Sequence, residues 1–483
     1  MHWTPSNYTS VRTAYSKLTN AISIRPTAET IDVKNAIGRV LYTDMTSPID
    51  IPSSNRSHMD GFVVKYADIS ISSDHKSIRL KLVPGRKARK SENQSLLAGQ
   101  AIRISTGEVL PRLGDTVIPL ESAQLDSKNN TITIQKDLAK GSFISFKGSE
   151  IARKDLLLNA RHVLRIQDLA LASTLGIRKL KVFKKPMVAI IPTGSELTNK
   201  INDAKRGKIL NTNGTVISNL IEISGGMPLD LGITSDNIHT IKNKIRAALS
   251  RSDIILTTGG SSVGARDLVA ESINNIGEPG ILVHGIKLDR GRVTGLAALR
   301  RKPIIILPGP IQGAVNAFIV FAQPLIRFML GLQPYTKPFV SAKLTKDWNA
   351  RKKFQNFTKI VYVKMSRSAS GKFYASPITG ETTDITVLTE SNGFILVPER
   401  LTMLKKGQKV KINTFPGLSF SSGNPIELPY LSEKTFFRIL VETKYLRLQN
   451  NSCFEELSDD RIIIPSFGEI FAFERSDNYS IIG

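Results

Sequence analysis

Cysteine is almost missing from this chain: among 483 residues only Cys453 carries a thiol. An intrachain disulfide and a cysteine-rich zinc site are therefore excluded, and the usage is compatible with a reducing compartment. The opening residues, Met1-His2-Trp3-Thr4-Pro5-Ser6-Asn7-Tyr8, lack a basic segment leading into an apolar run. They do not read as a signal peptide, so the expected location is the cytoplasm. Long hydrophobic runs are also scarce. Residues 303–326 carry no charge, but Pro308, Gly309 and Pro310 interrupt them early, and Gln312, Asn316, Gln323 and Pro324 follow. A buried strand followed by a buried helix (about Ile311 to Leu330) suits that pattern better than a membrane span. No zinc finger, RNA-recognition signature, aromatic–basic alternation, internal repeat or low-complexity segment is present.

Acidic residues are few: 41 Asp and Glu stand against 66 Lys and Arg, a formal net charge of +25. Such a balance attracts polyanions, and a nucleic-acid-associated protein is one reading of it. The cations are scattered in short clusters, at Arg86 to Lys90, Lys184-Lys185, Arg300 to Lys302 and Arg351 to Lys353. A generally basic surface explains that distribution as well. Hydrophobic content of 41% with 22% charged residues indicates a folded globular chain, and its length calls for several domains.

The hydrophobic periods divide the chain. Val11, Ala14, Tyr15 and Leu18 fall at helical spacing. Residues 51–147 read as mostly β, with runs at Ile78 to Val83, Ala101 to Ile104 and Thr131 to Ile134. Ile166 to Leu175 reads as a helix ending at Gly176. From Lys185 strand and helix alternate: an apolar run at Met187 to Ile191, a stripe of Ile217, Leu220, Ile221 and Ser224, a strand at Pro228 to Leu231, a helix at Ile238 to Leu249, and strands at Ile254 and Ile304. That alternation predicts a parallel sheet covered by helices. Past Gly331, runs at Phe339 to Leu344, Ile360 to Met365, Gly393 to Val397 and Gln408 to Ile412 predict a small barrel. The fold class expected is multidomain α/β, with residues 416–483 as an extension of unread character.

The densest chemical signal is Asp253-Ile254-Ile255-Leu256-Thr257-Thr258-Gly259-Gly260-Ser261-Ser262-Val263-Gly264-Ala265-Arg266-Asp267. A buried strand running into glycines lets backbone N–H groups approach an anion, at the sheet end where ligands collect in open α/β folds. Asp267, just past the loop, could hold a hard cation against a bound phosphate. Alone, a Gly-Gly-Ser-Ser loop serves equally well as an ordinary turn.

Other segments stand in order around it. They are Met59-Asp60-Gly61-Phe62; Ser105-Thr106-Gly107, with Pro111, Gly114-Asp115-Thr116-Val117 and Glu121; Gly148-Ser149-Glu150-Ile151; Pro192-Thr193-Gly194-Ser195-Glu196-Leu197; Gly207-Lys208-Ile209-Leu210-Asn211-Thr212-Asn213; Asp236; and Leu307-Pro308-Gly309. The array, over about residues 10–415, resembles the MoeA family of molybdopterin molybdenumtransferases, which includes the gephyrin E domain.

The resemblance implies four domains and a homodimer. Residues 1–50 with 148–180 would form an elongated dimerisation domain, 51–147 a β-rich domain, 181–331 a MogA-like α/β substrate domain with a mostly parallel sheet, and 332–415 a β-barrel. It implies Mg²⁺-dependent insertion of molybdate or tungstate into adenylylated molybdopterin with release of AMP, and a molybdopterin adenylyltransferase as a candidate partner. Asp267, Asp236 and Glu196 are then the candidates for metal holding and catalysis, joined by Asp60. Thr106, Glu150, Thr193, Gly194, Gly259, Gly260, Ser261, Ser262, Lys287, Arg290 and Arg292 are the candidates for substrate binding. Each also has a plainer reading: Asp60 as a turn residue, Asp236 as the cap of the helix starting at Ile238, Glu196 and Asp267 as solvated or capping carboxylates, and His58 and His284 as surface or packing residues.

The chain departs from the family pattern at several places. Where the family has Lys-Pro-Gly-Lys-Pro, whose lysines bind the oxyanion, this chain reads Asp289-Arg290-Gly291-Arg292-Val293, preceded by Lys287. Where the family has Leu-Pro-Gly-Asn-Pro-Val-Ser, it reads Leu307-Pro308-Gly309-Pro310-Ile311-Gln312-Gly313, and Ser195 replaces an aspartate. A carboxylate at 289 would repel an oxyanion, whereas arginines can grip one through two donors. A non-catalytic pterin-binding or scaffold paralogue is the alternative these changes raise.

Overall fold

The structure is a computed structural model and describes residues 8–70, 77–84, 94–134, 138–259, 267–333, 339–368, 370–415, 461–466 and 469–474. Residues 1–418 form one unit and 419–483 a second.

Helix α1 (Val11–Ala21) is capped by Ser10, whose hydroxyl accepts from Thr13 N. Its stripe is as the spacing predicts, with Ala14 and Leu18 fully buried. That stripe packs against the strands Pro279–His284 and Gly295–Leu299 and joins their hydrophobic core. Short pairings follow, Ala28–Asp32 with Lys179–Phe183 and Met45–Thr46 with Leu156–Leu158, beside a helix at Ile166–Thr174. Asp168 seals that helix start. Its carboxylate accepts from Arg165 N and from the Arg165 guanidinium, and stands 2.7 Å from His162 Nε2.

Six strands, β1 (Gly61–Val64), β2 (Ile78–Val83), β3 (Gln100–Ile104), β4 (Thr116–Pro119), β5 (Ala123–Asp126) and β6 (Thr131–Ile134), make a sheet in the order β4-β1-β3-β2-β6-β5. β1 and the edge strand β4 are buried throughout.

The α/β sheet holds β7 (Met187–Pro192), β8 (Met227–Asp230), β9 (Ile254–Thr258), β10 (Pro279–His284), β11 (Gly295–Leu299) and β12 (Lys302–Leu307), ordered β8-β7-β9-β12-β11-β10. The first four of that order are parallel, and only β11 runs against its neighbours. Ile254, Ile255 and Leu256 on β9 are fully buried, each contributing roughly 1.5–3 kcal/mol on leaving water. Asp253 earns its place at the strand's head by accepting from Met187 N at 2.8 Å. Helices α2 (Thr212–Ile223), α3 (Ile238–Arg251) and α4 (Leu268–Asn274) cover the sheet with α5 (Ile311–Met329). The last is long and apolar enough to cross a membrane, but 83% of its apolar window is buried inside the protein. It is a core helix, and its turn Phe318–Ala322 is a π-helix.

A closed barrel follows, of β12's successors β13 (Phe339–Leu344), β14 (Lys359–Arg367), β15 (Phe373–Pro377), β16 (Gly393–Val397) and β17 (Lys409–Thr414), ordered β13-β15-β14-β16-β17. Periodicity missed β15, where Tyr374 and Ser376 break the apolar run. In the second unit the described residues form an antiparallel hairpin, Arg461–Ser466 against Glu469–Glu474.

Candidate functional site

Parallel strands point their carboxyl ends the same way, so β7, β8, β9 and β12 deliver their following loops to one edge of the sheet. Two reversals bring the end of β10 there too. This places Thr193, Gly194, Glu196, Asp236, Gly259, Asp267 and the 285–293 segment along a common rim. Gly260, Ser261 and Ser262 lie outside the described residues.

The rim is stitched by its backbone. Thr193, fully buried, donates its N–H to Thr258 O, and Gly194 donates to Thr234 O. A Cβ on Gly194 would stand 2.5 Å from Glu196 Oε1, so the glutamate carboxylate lies directly on that glycine. Gly259 has φ +80°, and a Cβ there would strike the Thr193 carbonyl oxygen. Glycine is required at 259 both for close approach to backbone and for its dihedral, whereas at 194 the neighbour is the movable end of the Glu196 side chain. Ser195 and Asp236 clasp each other: Ser195 N donates to Asp236 Oδ2 at 2.9 Å, and Asp236 N donates to Ser195 Oγ at 3.0 Å. The serine that replaces a family aspartate thus supplies a neutral acceptor for which a second carboxylate would be repulsive.

Asp236 does not cap α3; Asn237 does, with its Oδ1 accepting from His239 N and Thr240 N. Asp267 is the cap of α4, through Oδ1 to Ala270 N at 2.8 Å, and its Oδ2 is 2.8 Å from His284 Nε2. His284 is accordingly a largely buried partner of Asp267, beyond the surface or packing role read for it. Among the described residues no three His, Cys, Asp or Glu side chains gather to hold a metal. Asp267, Asp236 and Glu196 therefore make no three-carboxylate cage: Asp267 commits Oδ1 to Ala270 N while its buried Oδ2 lies close to His284 without a hydrogen bond, and Glu196 and Asp236 are exposed on linked loops. Asp236 and Leu268, with Asn237, His239 and Lys242, line one open hollow.

Asp60 and Thr106 sit in the β-rich sheet. Asp60 Oδ1 accepts from Thr106 N at 2.6 Å and from Thr106 Oγ1 at 2.9 Å. These donors, the backbone one foremost, hold the Asp60 carboxyl below the usual aspartate range. Asp60 thus closes its turn onto Thr106, whose hydroxyl proton is donated to it while the oxygen can still accept. Glu150 is exposed, with its N–H donated to Ile51 O. The hydrogen bonds of all three lie among their own neighbours, away from the α/β rim.

The 287–292 segment corrects two expectations. The Arg290 guanidinium is committed to Gln312 Oε1 and Gly380 O, to both of which it donates, and burial draws it below the ordinary arginine range. The Asp289 carboxylate is ion-paired with Arg351, so its charge is answered within the protein. Arg292 stacks 5.6 Å from the Phe354 ring centre, and Arg351 covers the same ring at 4.7 Å. Among the described residues Lys287 and Arg292 make no ion pair with a carboxylate and remain the segment's available cations. Sequence reasoning gave no role to Gln312, Asn316 and Tyr362, since single polar residues inside apolar runs give no spacing signal, and saw Arg351 only as one of a basic cluster.

An α/β sheet with its polar loops on one rim, preceded by a β-rich module and followed by a five-stranded barrel, defines the class of multidomain molybdopterin-handling proteins with a MogA-like centre. Three family models match in order: the MoeA N-terminal region (domain I and II) at residues 9–176, the probable molybdopterin binding domain at 189–327, and the MoeA C-terminal region (domain IV) at 341–415. The chain belongs to the MoeA family. It is 28% identical over 405 residues to a molybdopterin molybdenumtransferase of Staphylococcus aureus (83% of this chain, 94% of that one). It is also 28% identical to that of Staphylococcus epidermidis, over 79% of this chain and 90% of that protein. A solved molybdopterin biosynthesis MoeA protein from Pyrococcus horikoshii superposes with TM-score 0.75 at 29% identity, covering 85% of this chain and all of its own.

Proposed function

We propose that this protein inserts molybdate or tungstate into adenylylated molybdopterin, with Mg²⁺, releasing AMP. The observation that carries the reading is the ordered match of all three MoeA regions onto a sheet rim lined by close-approach glycines and two exposed carboxylates. The rim lies where ligands collect in open α/β sheets, and a diphosphate's transfer needs fixed donors and cations more than a covalent nucleophile. Glu196 and Asp236 are the residues that would hold Mg²⁺. One or two carboxylates plus substrate oxygens suit this ion better than an all-protein cage, which agrees with the side chains present. When bound, the ion would neutralise developing charge on the phosphate oxygens. Ser195 keeps Asp236 oriented toward Glu196's turn, Asp267 anchors the far end of the glycine-rich loop, and Lys287 and Arg292 attract the oxyanion.

A second copy of the chain would complete the site, supplying Asp60, Thr106 and Glu150 from its β-rich sheet. The exposed Leu156, Val163 and Ile166 of the elongated module support such a pairing. A molybdopterin adenylyltransferase is the natural source of the substrate. The test is AMP release from adenylylated molybdopterin with molybdate and Mg²⁺. Failure of the purified protein to bind either the pterin or its adenylylated form refutes the reading. Binding without turnover, unaffected by Glu196→Ala, would identify the non-catalytic paralogue that the altered 289–293 segment favours.

A further inference from the structure

We propose that Arg290 and Gln312 are positioning residues, which with the barrel loop at residues 380–384 lock the 287–292 segment in one conformation and so set the affinity for the oxyanion. The inference rests on the transferase reading and deepens it, because it names what holds the two available cations in place.

Arg290 has φ +55°, a left-handed backbone that a side chain adopts only when its surroundings enforce it. The enforcing contacts are visible. Its guanidinium donates to Gln312 Oε1 at the head of α5 and to Gly380 O beyond β15. Gln312 is fully buried and uses its whole amide: the oxygen accepts from Arg290, while Nε2 donates to Glu381 O at 2.6 Å and to Asp384 O at 2.8 Å. A Cβ on Gly313 would lie 2.9 Å from Arg290 O and 2.9 Å from Pro308 Cβ, so only glycine lets the segment rest on the helix start.

The other side of the segment is sutured as well. Asp289 N donates to Thr358 O, Thr358 N donates to Lys287 O, and Asn316 Nδ2 reaches Asp289 O at 3.4 Å. The Tyr362 hydroxyl donates to Asn316 Oδ1 at 2.7 Å. Arg290, Gln312 and Gly313 stand where the family has proline, valine and serine, and the three touch one another. Departures that are separate in sequence are therefore one exchange in space. Apolar packing would hold the sheet against the barrel at least as stably as a buried guanidinium. What hydrogen bonds add is a single register, which is what an anion subsite built on a short loop requires.

The experiment uses the full chain with Arg290→Ala, Gln312→Ala, the double variant and Arg290→Lys. Amide hydrogen exchange is read without ligand over residues 286–293 and 378–385, and KM is measured separately for molybdate and for adenylylated molybdopterin. Either alanine variant should speed exchange in both segments and raise the molybdate KM roughly ten- to hundred-fold. The KM for adenylylated molybdopterin should stay within about twofold, and the double variant should be no worse than a single one, as for residues acting as a unit. Arg290→Lys, the variant least prone to misfold, should recover part of the effect. Unchanged exchange over 378–385 in Arg290→Ala overturns the lock, as does a proportional rise in both KM values. Should the wild type bind no adenylylated molybdopterin, the transferase reading fails while exchange alone still decides the lock.

Discussion

Replacing Asp267 with alanine removes a helix cap and a close approach to His284, and the cap has a definite size. The Oδ1 bond to Ala270 N closes the first turn of α4, and loss of such a cap costs about 1 kcal/mol. The Oδ2 contact with His284 Nε2, between side chains only 11% and 13% exposed, lacks hydrogen-bond geometry and is left out of the sum. The cap alone, about 1 kcal/mol, lowers the melting midpoint by about 2–4 °C for a domain of this size. Asp267→Asn is the informative companion, since its amide oxygen still caps Ala270 while the negative charge is gone. Thermal denaturation and AMP release, measured on both variants, separate the two roles. If Asp267 anchors the loop, the alanine variant loses stability and activity together, while the asparagine variant keeps most of each. Two variants that melt like the wild type yet are equally inactive would refute the anchoring argument and make the carboxylate a direct ligand group.

Asp168 titrates with a definite sign. Hydrogen bonds from Arg165 foremost, then from His162 and the backbone, depress its folded-state pKa. Its stabilisation is therefore complete above about pH 4 and lost as acid drives the pH down toward the folded value. Denaturation midpoints should fall steeply with pH in that window for the wild type, and more shallowly for Asp168→Asn. Gly259→Ala forces a side chain into φ +80° against the Thr193 carbonyl; a loss of at least about 1–3 kcal/mol should appear in chemical denaturation, and a neutral variant would show that the rim is looser than described. Lys359 is 1% exposed and donates to Gln355 O, Glu399 O and Leu401 O. Lys359→Met should cost about 2–4 kcal/mol, because orphaned carbonyls outweigh the relief of a buried charge; a gain in stability would reverse that ranking.

The elements with one clean period were legible in advance. β7, β9 and β12 are uniform apolar runs ended by Pro, Thr or Gly, and the stripe of α1 was read residue by residue. What the stripe faced was not legible, because amphipathicity states that a helix has a buried side without naming its partner. The site divides in the same way. Gly194, Gly259 and the carboxylates at 196, 236 and 267 were found through their turns, and the strand ends bring them to one rim. The roles of Asp267 and Arg290 could not be read, because each depends on a partner far along the chain, His284 for one and Gln312 with Gly380 for the other. Likewise the clash expected from Asp289 dissolves only when Arg351, on a different domain, is seen beside it.

The wide turn at Phe318–Ala322 lets α5 serve two masters. Upstream, Gln312 and Asn316 must present their amides to the barrel; downstream, Leu325, Ile326 and Met329 must stay in the hydrophobic interior. A regular helix advances about 100° per residue and would fix the second heading once the first was chosen. The π turn inserts a phase slip between them. Deleting one residue there would leave the helix continuous and still swing one of its halves out of alignment, so the length of this apolar stretch carries information that its composition does not.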